Sequence, residues 1–388
     1  MDSITKLEDI IYVGCDDNDL DLFESQYIVP NGMAYNSYII LDEKIAIMDT
    51  IDKRKEKEWL ENIQNVLQDK TPDYLVISHL EPDHSSGIES LCKLYPDMKL
   101  VGNDKTFNML PQFIRIESID ERKIVVKEKD TLNLGNHVLQ FYMAPMVHWP
   151  EVMVTYDIKD KVLFSADAFG KFGTLDTDED WACEARRYYF NIVGKYGMQV
   201  QMLLKKIANV NIEKILPLHG PILTENLEYY ISKYDIWSSY TPEDKGVFIA
   251  CASIHGNTYD SAKYLKEVLE KNTDEKIVLS DLSREDIAEC IEDAFRYDKM
   301  IVMASSYNGK VFPVMEEFLT KLLDKNYQKR KVGIVQNGSW APSAAKCMND
   351  IISKMKDVEI EEPVVTIKTK MNDESKQMLN ELATNILK

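Results

Sequence analysis

The chain reads His79-Leu80-Glu81-Pro82-Asp83-His84 directly after the apolar run at residues 74–78. Two imidazoles and two carboxylates therefore stand close together in a chain that has only 6 histidines among 388 residues. A short apolar run is typical of a buried strand, and a loop at its carboxyl end can direct several side chains at one cation. Each carboxylate alone would be an ordinary polar loop residue, but the four groups together predict a metal site.

Three more polar residues follow apolar runs in the first half of the sequence. They are His148, Asp167 and His219, each placed where a strand-like run stops. Each one alone could be a hydrogen-bonded residue at a strand end. Repeated after four separate strands, the arrangement favours one shared site at one edge of a sheet. The other histidine of this half, His137, lies in a turn and is expected to be solvated.

The two halves of the sequence differ in pattern. In the first half we expect a mixed sheet, with strands at 33–41, 44–48, 74–78, 99–102, 123–126, 137–143, 152–157 and 161–165, and helices at 53–67 and 88–95. From residue 246 we expect strands at 247–252, 276–280, 300–304, 332–336 and 364–367, alternating with helices at 259–270, 286–295, 314–323, 344–356 and 375–387. Such alternation indicates a parallel sheet with helices on both faces, because each parallel crossover needs a helix-length connection. The polar segment 241–246 contains both Pro and Gly, and predicts a boundary between domains 1–245 and 246–388.

The first strand-to-helix turn of the second half is rich in small and hydroxylated residues: Ser253-Ile254-His255-Gly256-Asn257-Thr258. Backbone amides and hydroxyls at a helix start can surround one phosphate, although an ordinary turn could have this composition too. The turn matches neither the dinucleotide nor the nucleoside-triphosphate loop pattern, which favours a mononucleotide.

Two further loops follow strands of the same predicted sheet: Ser305-Ser306-Tyr307-Asn308-Gly309 and Asn337-Gly338-Ser339-Trp340. Ligands of open α/β sheets bind at the carboxyl ends of the strands. Tyr307 and Trp340 are suited to cover the two faces of a flavin ring, the alternative being exposed loop aromatics.

Composition limits the possible partners and compartments. The net charge is −19, which disfavours nucleic acid and anionic membrane as partners. No apolar run reaches the roughly 18 residues of a membrane span, and the acidic start does not resemble a signal peptide, so we expect a cytoplasmic protein. The 6 cysteines form no CxxC pair, so neither a disulfide framework nor a cysteine metal site is indicated.

The motif HxExDH at residues 79–84 resembles HxHxDH of the metallo-β-lactamase-like superfamily, with Glu81 at the second histidine position. Carboxylate in place of imidazole moves the metal preference from zinc toward iron or manganese. HxExDH is the pattern of the flavodiiron proteins. The resemblance extends over essentially the whole chain, through Asn36-Ser37-Tyr38, His148-Trp149-Pro150, Asp167-Ala168-Phe169-Gly170 and Pro217-Leu218-His219-Gly220-Pro221. It implies an αββα metallo-β-lactamase-like sandwich followed by a flavodoxin-like, doubly wound parallel five-stranded sheet.

The resemblance also implies the ligands and the cofactors. One iron would be held by His79, Glu81 and His148, the other by Asp83, His84 and His219, with Asp167 bridging the two. FMN would bind the three loops of the second domain, although His255 and the Ser305-Ser306-Tyr307 run depart from the commonest flavodoxin versions. No catalytic residue is assigned beyond the metal ligands. The run Arg186-Arg187-Tyr188-Tyr189 could orient ligands or protons, or could be a plain helix surface.

The implied function is that of a flavodiiron reductase, in which FMN passes electrons to a non-haem diiron centre that reduces O₂ to water or NO to N₂O. The sequence does not decide between the two gases. The resemblance implies an external electron donor, either a rubredoxin or another reductase or reduced deazaflavin, and a head-to-tail homodimer or dimer of dimers. Two alternatives stay open: a dinuclear-metal hydrolase with an accessory flavodoxin domain, and a flavin-dependent electron carrier whose first domain is only a scaffold.

Overall fold

The structure is a computed structural model that describes residues 7–116 and 119–388. The chain divides into two compact units, one formed by residues up to 188 together with 198–235, and the other by residues 189–197 together with 236–388. These units are defined by contacts, so the domain limits 1–245 and 246–388 stay a prediction from sequence.

The first unit carries the strands β1 to β15. They are Ile10–Tyr12 (β1), Cys15–Asp17 (β2), Leu22–Phe23 (β3), Tyr27–Ile28 (β4), Met33–Tyr35 (β5), Tyr38–Ile40 (β6), Ala46–Met48 (β7), Tyr74–Val76 (β8), Lys99–Gly102 (β9), Lys123–Val125 (β10), Thr131–Asn133 (β11), Val138–Met143 (β12), Met153–Asp157 (β13), Val162–Phe164 (β14) and Lys214–Leu216 (β15).

Eight α-helices begin in the described residues of this part of the chain. They are Glu56–Leu67 (α1), Pro82–Ser85 (α2), Ile88–Leu94 (α3), Asp104–Met109 (α4), Ile119–Arg122 (α5), Trp181–Tyr188 (α6), Gly197–Ile207 (α7) and Leu227–Ser238 (α8). The 3-10 helices Lys53–Lys55 and Leu110–Gln112 belong to the first unit, and the π-helix Tyr189–Val193 and the 3-10 helix Gly194–Tyr196 belong to the second.

Two mixed sheets enclose the core of the first unit. Their strand orders are β1-β6-β7-β8-β9-β10 and β11-β12-β13-β14-β15. The core places Ile40 and Met48 of one sheet in the same apolar cluster as Phe141 and Phe164 of the other. Helix α1 buries Trp59, Ile63 and Leu67, which share one face at helical spacing. The αββα sandwich expected from the sequence is confirmed.

The sequence prediction missed the short elements β1 to β4, β11, α2, α4 and α5, and it differs from the structure at two further places. The expected strand at 33–41 is interrupted at Asn36 and Ser37, because the Asn36 amide donates to the carbonyls of Pro217 and Gly220. The helices between residues 181 and 238 were not predicted. Helix α6 buries Arg186 and Arg187 together with its apolar residues, and charged side chains do not mark a buried helix in a sequence.

The second unit is built on a parallel sheet in the order β17-β16-β18-β20-β21. Its strands are Asp244–Ala252 (β16), Lys276–Asp281 (β17), Tyr297–Tyr307 (β18), Lys310–Val311 (β19), Arg330–Asn337 (β20) and Val358–Ile367 (β21). The helices between them are Asn257–Asn272 (α9), Ile287–Arg296 (α10), Pro313–Asp324 (α11), Ala344–Ile352 (α12) and Asp373–Ile386 (α13). Every strand and helix expected here is present, and the flavodoxin-like topology is confirmed.

One predicted loop of the second unit is largely strand. Residues 305–307 continue β18, and the chain then turns back at Asn308 and Gly309 to pair β19 with β18. Ser305 lies beside Asn337, the last residue of β20, in the parallel register. The true end of β18 was not predicted, because polar and hydroxyl side chains follow the apolar residues of the strand. Among the helices of the described residues, none is both long enough and apolar enough to cross a lipid bilayer.

Candidate functional site

Three strands of the first unit deliver a polar side chain at the same distance past their carboxyl ends. His79 is the third residue after β8, Asp167 the third after β14, and His219 the third after β15. Strands β14 and β15 are parallel neighbours with Phe164 beside Leu216, so Asp167 and His219 leave the sheet side by side. Strand β8 belongs to the first sheet, and β14 and β15 belong to the second, so the prediction of a single sheet edge is wrong. The polar residues come from strand ends of both sheets.

Four side chains form the group that we call cluster A: His79, Glu81, His148 and Asp167. Glu81 Oε2 lies 3.3 Å from His79 Nε2 and 3.0 Å from His148 Nε2. Asp167 Oδ2 lies 3.3 Å from His79 Nε2 and 3.2 Å from His148 Nε2. Two imidazoles and two carboxylates thus converge on one small volume.

Three side chains form cluster B: Asp83, His84 and His219. Asp83 Oδ2 lies 3.2 Å from His84 Nε2 and 3.3 Å from His219 Nε2, and the two ring nitrogens are 3.0 Å apart. The second oxygen of Asp167, Oδ1, lies 3.4 Å from His84 Nε2 and 3.6 Å from His219 Nε2. Asp167 therefore presents one oxygen to each cluster.

The donor atoms fit a pair of metal ions better than a hydrogen-bond network. Within residues 7–116 and 119–388, both carboxylate oxygens of Asp83 and of Asp167 are buried without a hydrogen-bond partner. Buried carboxylates are normally satisfied, so such unpartnered oxygens call for an ion. Metal–ligand distances of about 2.0–2.2 Å place two ligands of one ion roughly 3 Å apart, which is the spacing seen in both clusters.

Charged groups within the clusters shift the pKa values of several ligands in the direction opposite to the shift that burial causes. Burial lowers the pKa of His84, but the carboxylates of Asp83 and Asp167 outweigh it and raise that pKa to about 10. Burial also lowers the pKa of His148, and Asp167 with Glu81 raises it to about 9. In Asp83, burial raises the pKa, yet the nearby imidazoles hold it well below its usual range. Without a metal, imidazolium protons balance these carboxylates, and metal ions would replace the protons.

The loop that carries His219 is anchored by buried polar groups. The Nδ1 atom of His219 lies 2.8 Å from the carbonyl of Ala34, and the Asn36 amide holds both carbonyls beside His219, those of Pro217 and Gly220, at 2.9 and 2.8 Å. An imidazole whose Nδ1–H is engaged in this way leaves its Nε2 lone pair for a metal.

Glu151 is a site residue that the sequence prediction missed. Its Oε1 accepts the Nδ1–H of His79 at 2.8 Å and the backbone N–H of Leu80 at 2.9 Å. Glu151 is fully buried. The available signal was its position beside Pro150, since a carboxylate at the start of a buried strand needs a partner.

Asp49 was missed as well. It is buried just after β7, and its Oδ1 accepts the backbone N–H groups of Ser78 at 2.6 Å and His79 at 3.4 Å. Burial raises the pKa of Asp49 to about 6. Beside it, the Thr50 hydroxyl donates to the carbonyl of His84 at 2.7 Å. These contacts fix both ends of the ligand loop.

His137 is not solvated, contrary to the sequence prediction. It is fully buried, with Nδ1 at 3.0 Å from Asp157 Oδ2 and Nε2 at 3.0 Å from Lys159 Nζ. With Asp157 and Asp160 it forms a third group with metal-ligand chemistry. Asp157 and Lys159 each engage one ring nitrogen of His137, which leaves neither nitrogen for a metal, so we assign no metal to this group.

The run 186–189 is not a plain helix surface. Arg186, Arg187, Tyr188 and Tyr189 are all buried. Arg187 donates to Glu184 at 2.9 Å and to the carbonyl of Ile28. The ring centroid of Tyr188 lies 5.6 Å from that of His219.

The second unit has a pocket at the carboxyl edge of its sheet, which we call the sheet-edge pocket. It is lined by Ser253, Ile254, His255, Asn257, Thr258, Ser305, Ser306, Tyr307, Asn308, Gly309, Asn337, Gly338, Ser339, Trp340, Ala341, Ser343 and Thr369. All the predicted cofactor-binding residues except Gly256 line it, and Ala341, Ser343 and Thr369 were not predicted. The lining that the structure describes includes no Asp, Glu, Lys or Arg.

Gly256 shapes this pocket through the backbone. It precedes α9 with φ of +90°, and no side chain caps the helix start. The amides of the first helical turn are therefore open to an anion. Tyr307 and Trp340 are 44% and 84% exposed, which leaves their rings free to cover a planar ligand.

Comparison with known proteins agrees with both halves of the structure. Residues 33–220 match the ODP family beta lactamase model, and residues 248–377 match a flavodoxin domain model. The anaerobic nitric oxide reductase flavorubredoxin of Vibrio vulnificus is 27% identical over 92% of this chain and 73% of its own length. Rubredoxin oxygen:oxidoreductase of Desulfovibrio gigas superposes with a TM-score of 0.90 at 24% identity, covering 98% of this chain and 97% of that one. Both halves of the chain thus resemble the flavodiiron proteins.

Two other relatives and one further structure are similar to this chain over nearly its whole length. The diflavin flavoprotein A 1 of Nostoc sp. is 28% identical, and the diflavin flavoprotein A 2 of Synechocystis sp. is 27% identical, each over 96% of this chain. The chain spans 65% of the length of each of these two relatives. The flavodiiron protein of Giardia intestinalis has a TM-score of 0.88 at 23% identity, covering 98% of this chain and 95% of that one.

Proposed function

We propose that this chain is a flavodiiron oxygen or nitric-oxide reductase. The observation that carries the proposal is Asp167, whose two carboxylate oxygens are directed at two separate histidine–carboxylate clusters. A carboxylate so placed suits a bridge between two metal ions that act together. The neutral sheet-edge pocket of the second unit suits a flavin mononucleotide.

The residues of the first unit suit two iron ions. Cluster A would hold one ion, and cluster B with Asp167 Oδ1 the other, so each ion would have two imidazoles, one carboxylate of its own and a shared carboxylate. Mixed nitrogen and oxygen donors without sulfur suit non-haem iron. When bound, the two irons and FMN would supply the electrons for gas reduction.

The protein groups around the clusters position the ligands and admit the substrate. Glu151, the Ala34 carbonyl and Asn36 would hold the imidazoles in place. A cavity in the first unit is lined by Phe23, Tyr35, Glu81 and Asp83, among others, and offers a small neutral gas a path to the ligands.

In the second unit, the start of α9 would receive the FMN phosphate. The open amides after Gly256, together with the hydroxyls of Ser253 and Thr258, offer donors to a phosphate. Tyr307 and Trp340 would cover the flavin ring.

Partners and location form part of the same proposal. The electrons would come from an external donor, a rubredoxin-type protein or another reductase or deazaflavin. We propose a head-to-tail homodimer, or a dimer of dimers, that works in the cytoplasm. Light scattering of the purified protein would check the subunit number.

The function is tested on the purified full-length protein. We expect two irons and one FMN per chain, and consumption of O₂ or NO with a reduced donor. Rates with both gases under one donor would reveal the preference. A preparation with zinc, no flavin and hydrolytic turnover would instead support the dinuclear hydrolase. Full activity in Asp167→Ala would support the scaffold alternative.

A further inference from the structure

Clusters A and B offer equal ligand sets, but they differ in the groups that surround the Nδ1 atoms of their histidines. Each would give its ion two imidazoles, one carboxylate of its own and one oxygen of Asp167. Behind cluster A, the buried carboxylate of Glu151 accepts the Nδ1–H of His79. Behind cluster B, His219 meets a neutral carbonyl, that of Ala34. His84 Nδ1 is buried without a hydrogen-bond partner in the part of the chain that the structure describes.

Glu151 therefore adds one negative charge to the surroundings of cluster A alone. Its side chain is fully buried, and its second oxygen, Oε2, has no hydrogen-bond partner among the described residues to disperse the charge. A charge in such a low-dielectric position acts strongly on a cation a few ångströms away. An imidazole bonded to a carboxylate is also a more electron-rich ligand than one bonded to a carbonyl.

Other charged groups near the clusters do not cancel this difference. Asp49 bonds the amides of Ser78 and His79 but also acts electrostatically on His84, so it belongs to neither cluster alone. Glu24 acts on Glu81 of cluster A and on Asp83 of cluster B, and Asp52 acts on Asp83. Both of these groups contact solvent, which screens them more than the buried Glu151.

We propose that Glu151 makes the two irons unequal, so that the iron of cluster A is oxidised before the iron of cluster B. This inference rests on the proposed diiron function. If the oxidant of a redox titration took one electron from two ferrous ions bound here, cluster A would hold the ferric ion and cluster B the ferrous ion. Glu151 is a positioning residue, because it acts through His79 and touches neither iron nor gas.

The test is a redox titration of the full-length, ⁵⁷Fe-loaded protein, followed by Mössbauer spectroscopy, which detects iron and not flavin. We expect two one-electron steps in the unmodified protein, separated by at least a tenfold equilibrium ratio, or about 59 mV. A single two-electron step would overturn the proposal without any variant. Iron content measured first separates this result from failure of the diiron function itself, since a protein with fewer than two irons contradicts that function.

Glu151→Gln supplies the decisive comparison, because it removes the charge and keeps an oxygen that can accept from His79 and Leu80. We expect the lower of the two potentials to rise by about 59 mV, a tenfold change, so that the gap narrows. If cluster B were oxidised first, the same variant would raise the upper potential and widen the gap. Unchanged potentials at full iron loading would also contradict the proposal.

The chain contains a close match for use as a control. Asp157 Oδ2 accepts the Nδ1–H of His137 at 3.0 Å and the backbone N–H of Asp160 at 3.1 Å, and its other oxygen is buried and lacks a described partner. This carboxylate–imidazole pair repeats the Glu151 arrangement outside clusters A and B. Asp157→Asn should leave both potentials in place, and Glu151→Asp, which keeps the charge, should shift them less than Glu151→Gln.

Discussion

Both carboxylate oxygens of Asp167 are buried, and each is directed at a different pair of imidazole nitrogens. A side chain that serves two clusters should be more sensitive to substitution than one that serves a single cluster. Burial also makes the negative charges of these carboxylates unfavourable in free energy when no cation is bound.

Asp167→Ala should remove iron from both clusters, whereas Asp83→Ala should mainly empty cluster B. The reason is that only Asp167 contributes an oxygen to both sets. We expect less than one iron per chain and at least a 100-fold lower gas-reduction rate in Asp167→Ala. Metal analysis with a paired rate assay checks this, with Asp157→Asn as the control. Near-complete iron loading of Asp167→Ala would contradict the bridging role.

The pKa shifts of the histidines predict how pH affects the metal-free protein. The pKa of His84 is raised to about 10 and that of His148 to about 9, from an ordinary value of 6.5. A raised pKa in the folded state contributes stability below pH 6.5, and this stability is lost as the pH rises through 9 to 10. The chelator-treated protein should therefore melt several degrees higher at pH 6.5 than at pH 9.5.

A double substitution, His84→Gln with His148→Gln, tests the cause of that pH effect. It should remove most of the difference in melting temperature between the two pH values. A metal-free protein that melts higher at pH 9.5 than at pH 6.5 would contradict the assignment of protonated imidazoles to the clusters.

At the scale of the elements, the ligands depend on loops that neighbouring segments hold in place. Asn36 interrupts a strand and ties down the loop that follows β15. Gly256 opens the start of α9. In both cases, a residue with no direct chemistry fixes the position of the residues or amides that would bind.

Asn36→Ala should lower stability and empty cluster B. It leaves the buried carbonyls of Pro217 and Gly220 without their donor, at a cost of about 1–3 kcal/mol. Asn62→Ala is the matched control, because the Asn62 amide also joins two carbonyls, those of Val13 and Gly14, at 3.2 Å each. Denaturant unfolding and iron analysis of both variants check this. Equal iron loss in the two variants would show a general stability effect instead.

Gly256→Ala should weaken FMN binding about tenfold, equivalent to about 1.4 kcal/mol. A Cβ at Gly256 would meet nothing within 4 Å, so the cost comes from the φ of +90°, which L-residues rarely adopt. Relaxing that angle would turn the amides of α9 away from the phosphate. Fluorescence titration with FMN measures the effect, and riboflavin, which lacks the phosphate, should bind equally to both proteins. An equal loss for riboflavin would place the phosphate elsewhere.

At the scale of the whole molecule, the net charge of −19 governs encounters with an electron donor. An acidic donor protein should reduce this chain faster as salt rises from about 20 to 200 mM, because screening weakens the repulsion between like charges. Stopped-flow reduction of the flavin measures this rate. A neutral small-molecule reductant is the control and should show little salt dependence. A rate with the acidic donor that falls with salt would reveal a local basic docking surface.

The sequence by itself determined the fold class, because periodicity and strand-to-helix alternation are local properties of the chain. It also singled out the seven residues of clusters A and B, because they follow apolar runs, and such positions can be recognised in the sequence. The end of β18 was missed because polar side chains follow its apolar residues, and helix α6 was missed because its buried face includes two arginines.

Only the tertiary structure decided which groups stand behind those residues. Glu151, Asp49 and the Ala34 carbonyl come from separate segments. A carboxylate such as Glu151 near a buried strand needs a partner, but its local sequence does not say that the partner is His79. The burial of His137 could not be predicted either, because its contact with Asp157 depends on the pairing of two strands, β12 and β13. A hydrogen bond or a buried charge depends on distances in space, and the order of residues along a chain does not fix those distances.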